Sequence, residues 1–255
     1  MALTKIPNLG MGNTDAQNNV IMGSSAGDSF SGTDATGNTL LGKNAGTAIT
    51  TGDNNVAIGL DPLITTTTGG SNVAIGPWAL NKNTEGDYNI GIGRSALYWN
   101  TTGDNNTAVG RNAVGENTTG SDNTGLGYYA LGANTTGIYN VAVGGFALDS
   151  NTTGGQNTAI GLFAQTNSTT AQNNVAIGYN SLADCTTGSE NIAIGRDALK
   201  ETTTSTNNVG VGYLAGYNNT TGTHNIAIGS YALYTSDDGD YNIAIGGQSL
   251  YYNTS

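Results

Sequence analysis

Asn55-Val56-Ala57-Ile58-Gly59, Asn72-Val73-Ala74-Ile75-Gly76, Asn89-Ile90-Gly91-Ile92-Gly93: one five-residue phrase returns every 17 residues. Its asparagine stands at 38, 55, 72, 89, 106, 123, 140, 157, 174, 191, 208, 225 and 242, thirteen copies in strict register. Asn19 opens an earlier copy at a spacing of 19, and Asn8-Leu9-Gly10-Met11-Gly12 has the outline of a degenerate one. A fixed period of this length marks a solenoid, whose units bury their apolar faces only against one another.

Counted from that asparagine, position 2 is β-branched from Thr39 to Ile243, and position 4 is Ile, Val or Leu. Position 3 is Ala or Gly from Ala57 to Ala244, and position 5 is Gly throughout. Large apolar residues two apart give a strand period. The glycine that follows suits a corner with positive φ or close backbone approach. Positions 8 and 9 read Ala-Leu in most units, as at Ala79-Leu80 and Ala147-Leu148, and predict a second strand. Positions 12 to 15 read Asn-Thr-Thr-Gly, as at Asn100–Gly103, which is turn chemistry. The expected fold is all-β, a parallel β-solenoid of about fourteen 17-residue coils over residues 19–255. Each coil runs strand, corner, strand, longer turn. At the usual strand spacing the rod is on the order of 70 Å long. Residues 1–18 break register and are expected to form an N-terminal cap or docking segment.

Composition narrows the function. The chain has 255 residues, 40 of them Gly, with 10% charged residues and a formal net charge of -11. Nucleic acid and anionic membranes demand a basic surface, so neither is an expected partner. No segment approaches the roughly 18 consecutive apolar residues that span a bilayer. The N-terminus lacks an apolar stretch of signal-peptide length, so the expectation is synthesis in the cytoplasm without export. Cys185 is the single cysteine, at what reads as a variable turn position. With one cysteine and one histidine, His224, neither a His/Cys zinc set nor a Ser-His-Asp centre is expected, and no cofactor or metal is implied. Acids such as Asp61, Asp197, Glu116, Asp184 and Asp87 are scattered over the repeat and read as solvated loop residues. The chain is therefore not expected to be an enzyme.

Three columns stand out. Asn55, Asn72, Asn89, Asn106, Asn140, Asn174, Asn191 and Asn225 are positioned to form a structural amide ladder along the axis. Ala57, Ala74, Ala108, Ala142, Ala159, Ala176, Ala193 and Ala227 occupy position 3, where only a small residue is admitted. If positions 2 and 4 fill the interior, these alanines face outward and the size limit marks a contact between chains. In the other orientation position 3 faces a thin interior, and positions 2 and 4 make the contact. Either geometry implies an oligomer, with a homotrimer expected. Aromatics near positions 6, 7, 10 and 11, among them Trp78, Tyr98, Trp99, Tyr128 and Tyr129, are candidate contacts for a host surface glycan or a subunit. Thr columns at positions 13 and 14 leave an ice-binding solenoid as a further alternative.

The Asn-Val-Ala-Ile-Gly phrase resembles the head repeats of trimeric autotransporter adhesins. The fuller unit, with Ala-Leu and Asn-Thr-Thr-Gly, is similar to repeats in bacteriophage tail fibres and other virion appendage proteins. That resemblance implies left-handed parallel β-rolls assembled as trimers, over nearly the whole chain from Asn19. It further implies a structural or adhesive virion appendage, used for host attachment or assembly, that meets other virion proteins through the N-terminal segment. A bacterial surface adhesin passenger is the alternative. The repeat departs from the adhesin heads by its extra residues in the Thr-Thr-Gly turn.

Overall fold

A computed structural model describes residues 17–30, 34–236 and 238–253. The expected segment 1–18 lies almost wholly outside these. Among the described residues there are fourteen strands of three residues each, from β1 (Val20–Met22) to β14 (Ile243–Ile245), and no helix. They form one parallel sheet in strict sequence order. Every strand pairs its like-numbered positions with those of the next coil, as in Val175↔Ile192, Ala176↔Ala193 and Ile177↔Ile194. The chain is thus the expected all-β parallel solenoid, with positions 2 to 4 as its strand.

Positions 8 and 9 do not make the second strand. Residues at positions 7 and 9 adopt left-handed backbone, for example Trp78 at φ 60° and Leu80 at φ 49°. A pleated strand cannot include such residues. The amide of Ala79 donates to the Gly76 carbonyl and that of Asn83 to the Leu80 carbonyl, so this side of the coil is a run of tight turns. Between coils the bonding continues: Leu80 N–H reaches the Ala96 carbonyl at 2.9 Å and Lys82 N–H the Tyr98 carbonyl at 2.9 Å. Seventeen residues must circle an interior one Ala and one Leu wide. Left-handed corners shorten the path enough to do it.

The orientation of the strand corrects the first of the two sequence readings. Ala57, Ala74, Ala108, Ala142, Ala159, Ala176 and Ala193 are 0% exposed in the single chain, and Ala227 is 1%. Position 3 therefore faces the interior, and alternation sends positions 2 and 4 outward. The alanines are not contacts between chains. Their size limit comes from Ala-Leu across the roll. A Cβ at Gly125 would lie 2.6 Å from Val114 Cγ2, and one at Gly210 would lie 2.7 Å from Leu199 Cγ. Leu40 is the exception that shows the rule. It fits at position 3 because Gly27 and Gly46 replace Leu at position 9 beside it.

Two buried amide columns tie the coils together. At position 1, Asn140 N–H donates to Asn123 Oδ1 at 3.0 Å, and Asn140 Nδ2 donates to the Gly154 carbonyl at 2.9 Å. The pattern repeats along the rod, through Asn55, Asn72, Asn89, Asn106, Asn174, Asn191 and Asn225. The second column, at position 12, was legible only as turn chemistry. Asn100, Asn117, Asn134 and Asn151 are fully buried, and each Nδ2 donates to the preceding Oδ1 at 2.7–2.9 Å. Where Ser168 interrupts this column, Asn151 Oδ1 is left buried without a partner.

Cys185 occupies position 12 as well, so its turn position faces the interior. It is fully buried, and its thiol donates to the Gly188 carbonyl at 3.2 Å where Asn would place its amide. Burial pushes the thiol pKa up to about 12. Since the folded state holds the proton more tightly, stability from this site is complete below the unfolded thiol pKa and is lost as pH rises towards 12. A thiol-reactive chromophore at pH ~8, just under the ordinary thiol pKa, should therefore label Cys185 only after denaturation. Rapid labelling of the native chain would contradict this placement.

The position 1 column yields a second test. Asn140→Ala leaves the Asn157 N–H buried without its acceptor, while the Gly154 carbonyl keeps Asn151 Nδ2 as a donor. Such a loss costs about 1–3 kcal/mol, and the variant should lose about that much in denaturant unfolding. Thr153→Ala, on the exposed part of the turn, should change stability little.

Candidate functional site

Two features of the rod surface have no structural use within the single chain. The first is the outward face of the sheet. Positions 2 and 4 carry Val, Ile, Leu and Thr from β2 (Thr39–Leu41) to β14, all half-buried or exposed, with Ile90 37% and Ile92 36% exposed in mid-rod. Two such columns about 6.6 Å apart run for about 60 Å along the axis. Monomeric proteins rarely leave a continuous apolar strip of several hundred Å² open to water.

The second is a groove of about 530 Å³ on the turn side, crossing four coils. Its walls are Tyr98, Trp99 and Tyr129, and its floor includes Gly115 and Gly132. The glycines fall at position 10, so two successive coils lack a side chain where Tyr98 stands in the coil before. Tyr98 and Trp99 meet edge to face with centroids 5.1 Å apart, which fixes the Trp99 plane while half its surface stays exposed. Glu116 and Asp149 also line the groove. The Asp149 carboxylate leans over Gly132, where a Cβ would come within 2.7 Å of its Oδ1. Burial holds Asp149 above the usual carboxylate range, and the charge of Glu116 adds to the effect.

The five candidate aromatics thus divide. Tyr98, Trp99 and Tyr129 converge on the groove. Trp78 and Tyr128 do not line it. Trp78 donates its indole N–H to Asp61 Oδ2 at 3.2 Å and lies beneath the Arg94 guanidinium at 4.9 Å. Tyr128 lies beneath Arg111 at 5.6 Å and packs edge to face on Tyr129 and Phe146. These two rings and their arginines form a column at positions 6 and 7 that holds successive coils in line.

Several acids read as solvated loop residues prove to be bonded. At position 16, Asp87 Oδ1 accepts the Gly70 N–H at 2.7 Å and Asp104 Oδ1 accepts the Asp87 N–H at 2.7 Å. Asp240 takes the backbone N–H and then the hydroxyl of Thr223, which together hold it below the usual carboxylate range. Asp61 and Asp197 likewise bridge to Asn44 and Asn180 of the preceding coils. The Thr column at position 13 is also engaged. The hydroxyls of Thr84, Thr101, Thr118, Thr135 and Thr152 donate to the threonine carbonyl one coil on, at 2.9–3.0 Å. No family model, curated protein or solved structure matches this chain.

Proposed function

We propose that this chain is a structural and adhesive rod, non-catalytic and self-associating, of the kind displayed on virions for attachment or assembly. The observation that carries the reading is the outward apolar strip. A sheet face with β-branched residues along its columns gains most by burial against an equally long and equally straight surface, and a second copy of the same chain supplies one. Burial of apolar area at about 25 cal/mol per Å² favours such association. Three copies around one axis would enclose all three strips at once, which is why a homotrimer is proposed rather than an open pair. The virion setting rests on the resemblance of the repeat to fibre and appendage proteins, together with the acidic net charge of -11. The turn side remains available for a partner outside the assembly.

Light scattering of the purified chain is expected to give about three chain masses. The double change Val143→Lys with Ile194→Lys puts two charges on the strip, three coils apart, and should dissociate the assembly while circular dichroism still reports the β-fold. Thr153→Lys with Thr204→Lys, on the exposed turn, should leave the mass unchanged. A well-folded monomer for the unmodified chain would sink the proposal.

A further inference from the structure

The groove has a composition that narrows what it can hold. It offers flat apolar rings on two sides, Trp99 and Tyr98 on one and Tyr129 on the other, with Gly115 and Gly132 between them. Ser95, Asn112 and Ser150 stand at its border with polar groups of the kind that meet hydroxyls. Mostly flat apolar contact with a few fixed polar groups is the usual make-up of a site for a small organic ring. The groove crosses four coils, about 14 Å along the axis, which is room for a short oligosaccharide and more than a lone ion needs.

Its charge is one-sided. Glu116 and Asp149 line it, and among the described residues no lysine or arginine does. Elsewhere several cations sit on aromatic rings, as Arg94 does on Trp78, Arg111 on Tyr128 and Arg196 on Tyr179. The groove has the rings without such a cation. Two like charges in a partly desolvated groove repel, and the strain falls on Asp149. A ligand cation between them would remove that repulsion and gain the ring quadrupoles as well. An acidic sugar would add a third like charge, and a neutral one would leave the pair as it is.

We infer that the groove is a subsite for a hexosamine with a free ammonium group, its ring against Trp99 and Tyr129 and its ammonium between Glu116 and Asp149. The inference rests on the adhesive reading above and names the class of glycan that the rod would grip. Glu116 and Asp149 act here as counter-ions, and both must be ionised. Affinity should therefore fall as pH drops through the titration of Asp149, which lies above the ordinary carboxylate range.

The test is calorimetric titration of the intact chain with three probes: a β-1,4-linked glucosamine tetramer, its fully N-acetylated counterpart and a uronic acid tetramer. The free-amine tetramer should bind saturably, the acetylated one at least about tenfold more weakly, and the uronic acid not at all. Glu116→Gln and Asp149→Asn should each weaken the first by about tenfold, the scale of one cation–π or ion contact. Trp99→Ala should abolish it, with unchanged circular dichroism. Equal affinity for free and acetylated amines overturns the inference, as does indifference to both carboxylate changes or failure to bind any probe. Release of new reducing ends would overturn it too, since the carboxylates would then be an acid pair. A chain that assembles as trimers but binds no probe loses this subsite and keeps its role as a rod. A monomeric chain loses the rod whatever the groove binds.

Discussion

The polar groups that the coil turns inward are satisfied within the coil or by the coil above or below, because the interior is too thin for a second layer. The Asn column at position 1 meets this demand most directly. One side chain accepts the amide of the next coil and donates to the Gly carbonyl of its own, as Asn140 does between Asn157 and Gly154. Unpaired buried amides are expensive, so an irregular stack is penalised wherever it begins. That penalty keeps the strands in register and the Ala and Leu columns aligned. The apolar strip is straight for the same reason, and the groove stays open because two glycines recur one coil apart.

Apolar packing has a smaller share than in a globular domain. Position 3 contributes a methyl group or nothing, position 8 another methyl, and only position 9 a full side chain such as Leu131 or Leu148. Large apolar residues at positions 2 and 4 lie on the outer surface of the single chain. The arrangement resembles a sheet that has been folded inside out relative to its hydrophobicity. Its own interior is held by amides and small residues, while its strongest apolar surface is left outside. On the proposed reading, self-association is for this molecule a continuation of folding.

Much of this was legible in the repeat. The period, the strand at positions 2 to 4 and the corner at the glycine that ends each five-residue phrase follow from the spacing, and so does the Asn ladder. The inward face was not, since Val-Ala-Ile alternation fits either orientation until the volume across the roll is known. Left-handed backbone was half visible. Asn54, Asn105, Asp122 and Asn173 at position 17 and Asn112 and Asn180 at position 7 are residue types that tolerate it, but Leu80 and Val114 at position 9 carry no such mark. The burial of Cys185 and the hydrogen bonds of the position 16 acids were not legible because Asn, Ser, Thr and Asp in a turn look solvated in sequence. In a solenoid a turn has a neighbour 17 residues away on either side. The groove lay beyond sequence reasoning because it depends on Gly115 and Gly132 being adjacent in space to Trp99.

Because each coil repeats its neighbours position for position, the gene encodes length in units. Removing or duplicating any 17 consecutive residues of the repeat shifts one copy onto the next and preserves every column. The rod then grows or shrinks by one strand spacing, about 4.8 Å. Recombination between copies can adjust how far the molecule reaches without redesigning any contact. The groove is tied to four particular coils, so the same event elsewhere in the chain would slide it nearer to or farther from either end. Length and groove position are thus separately heritable in this protein.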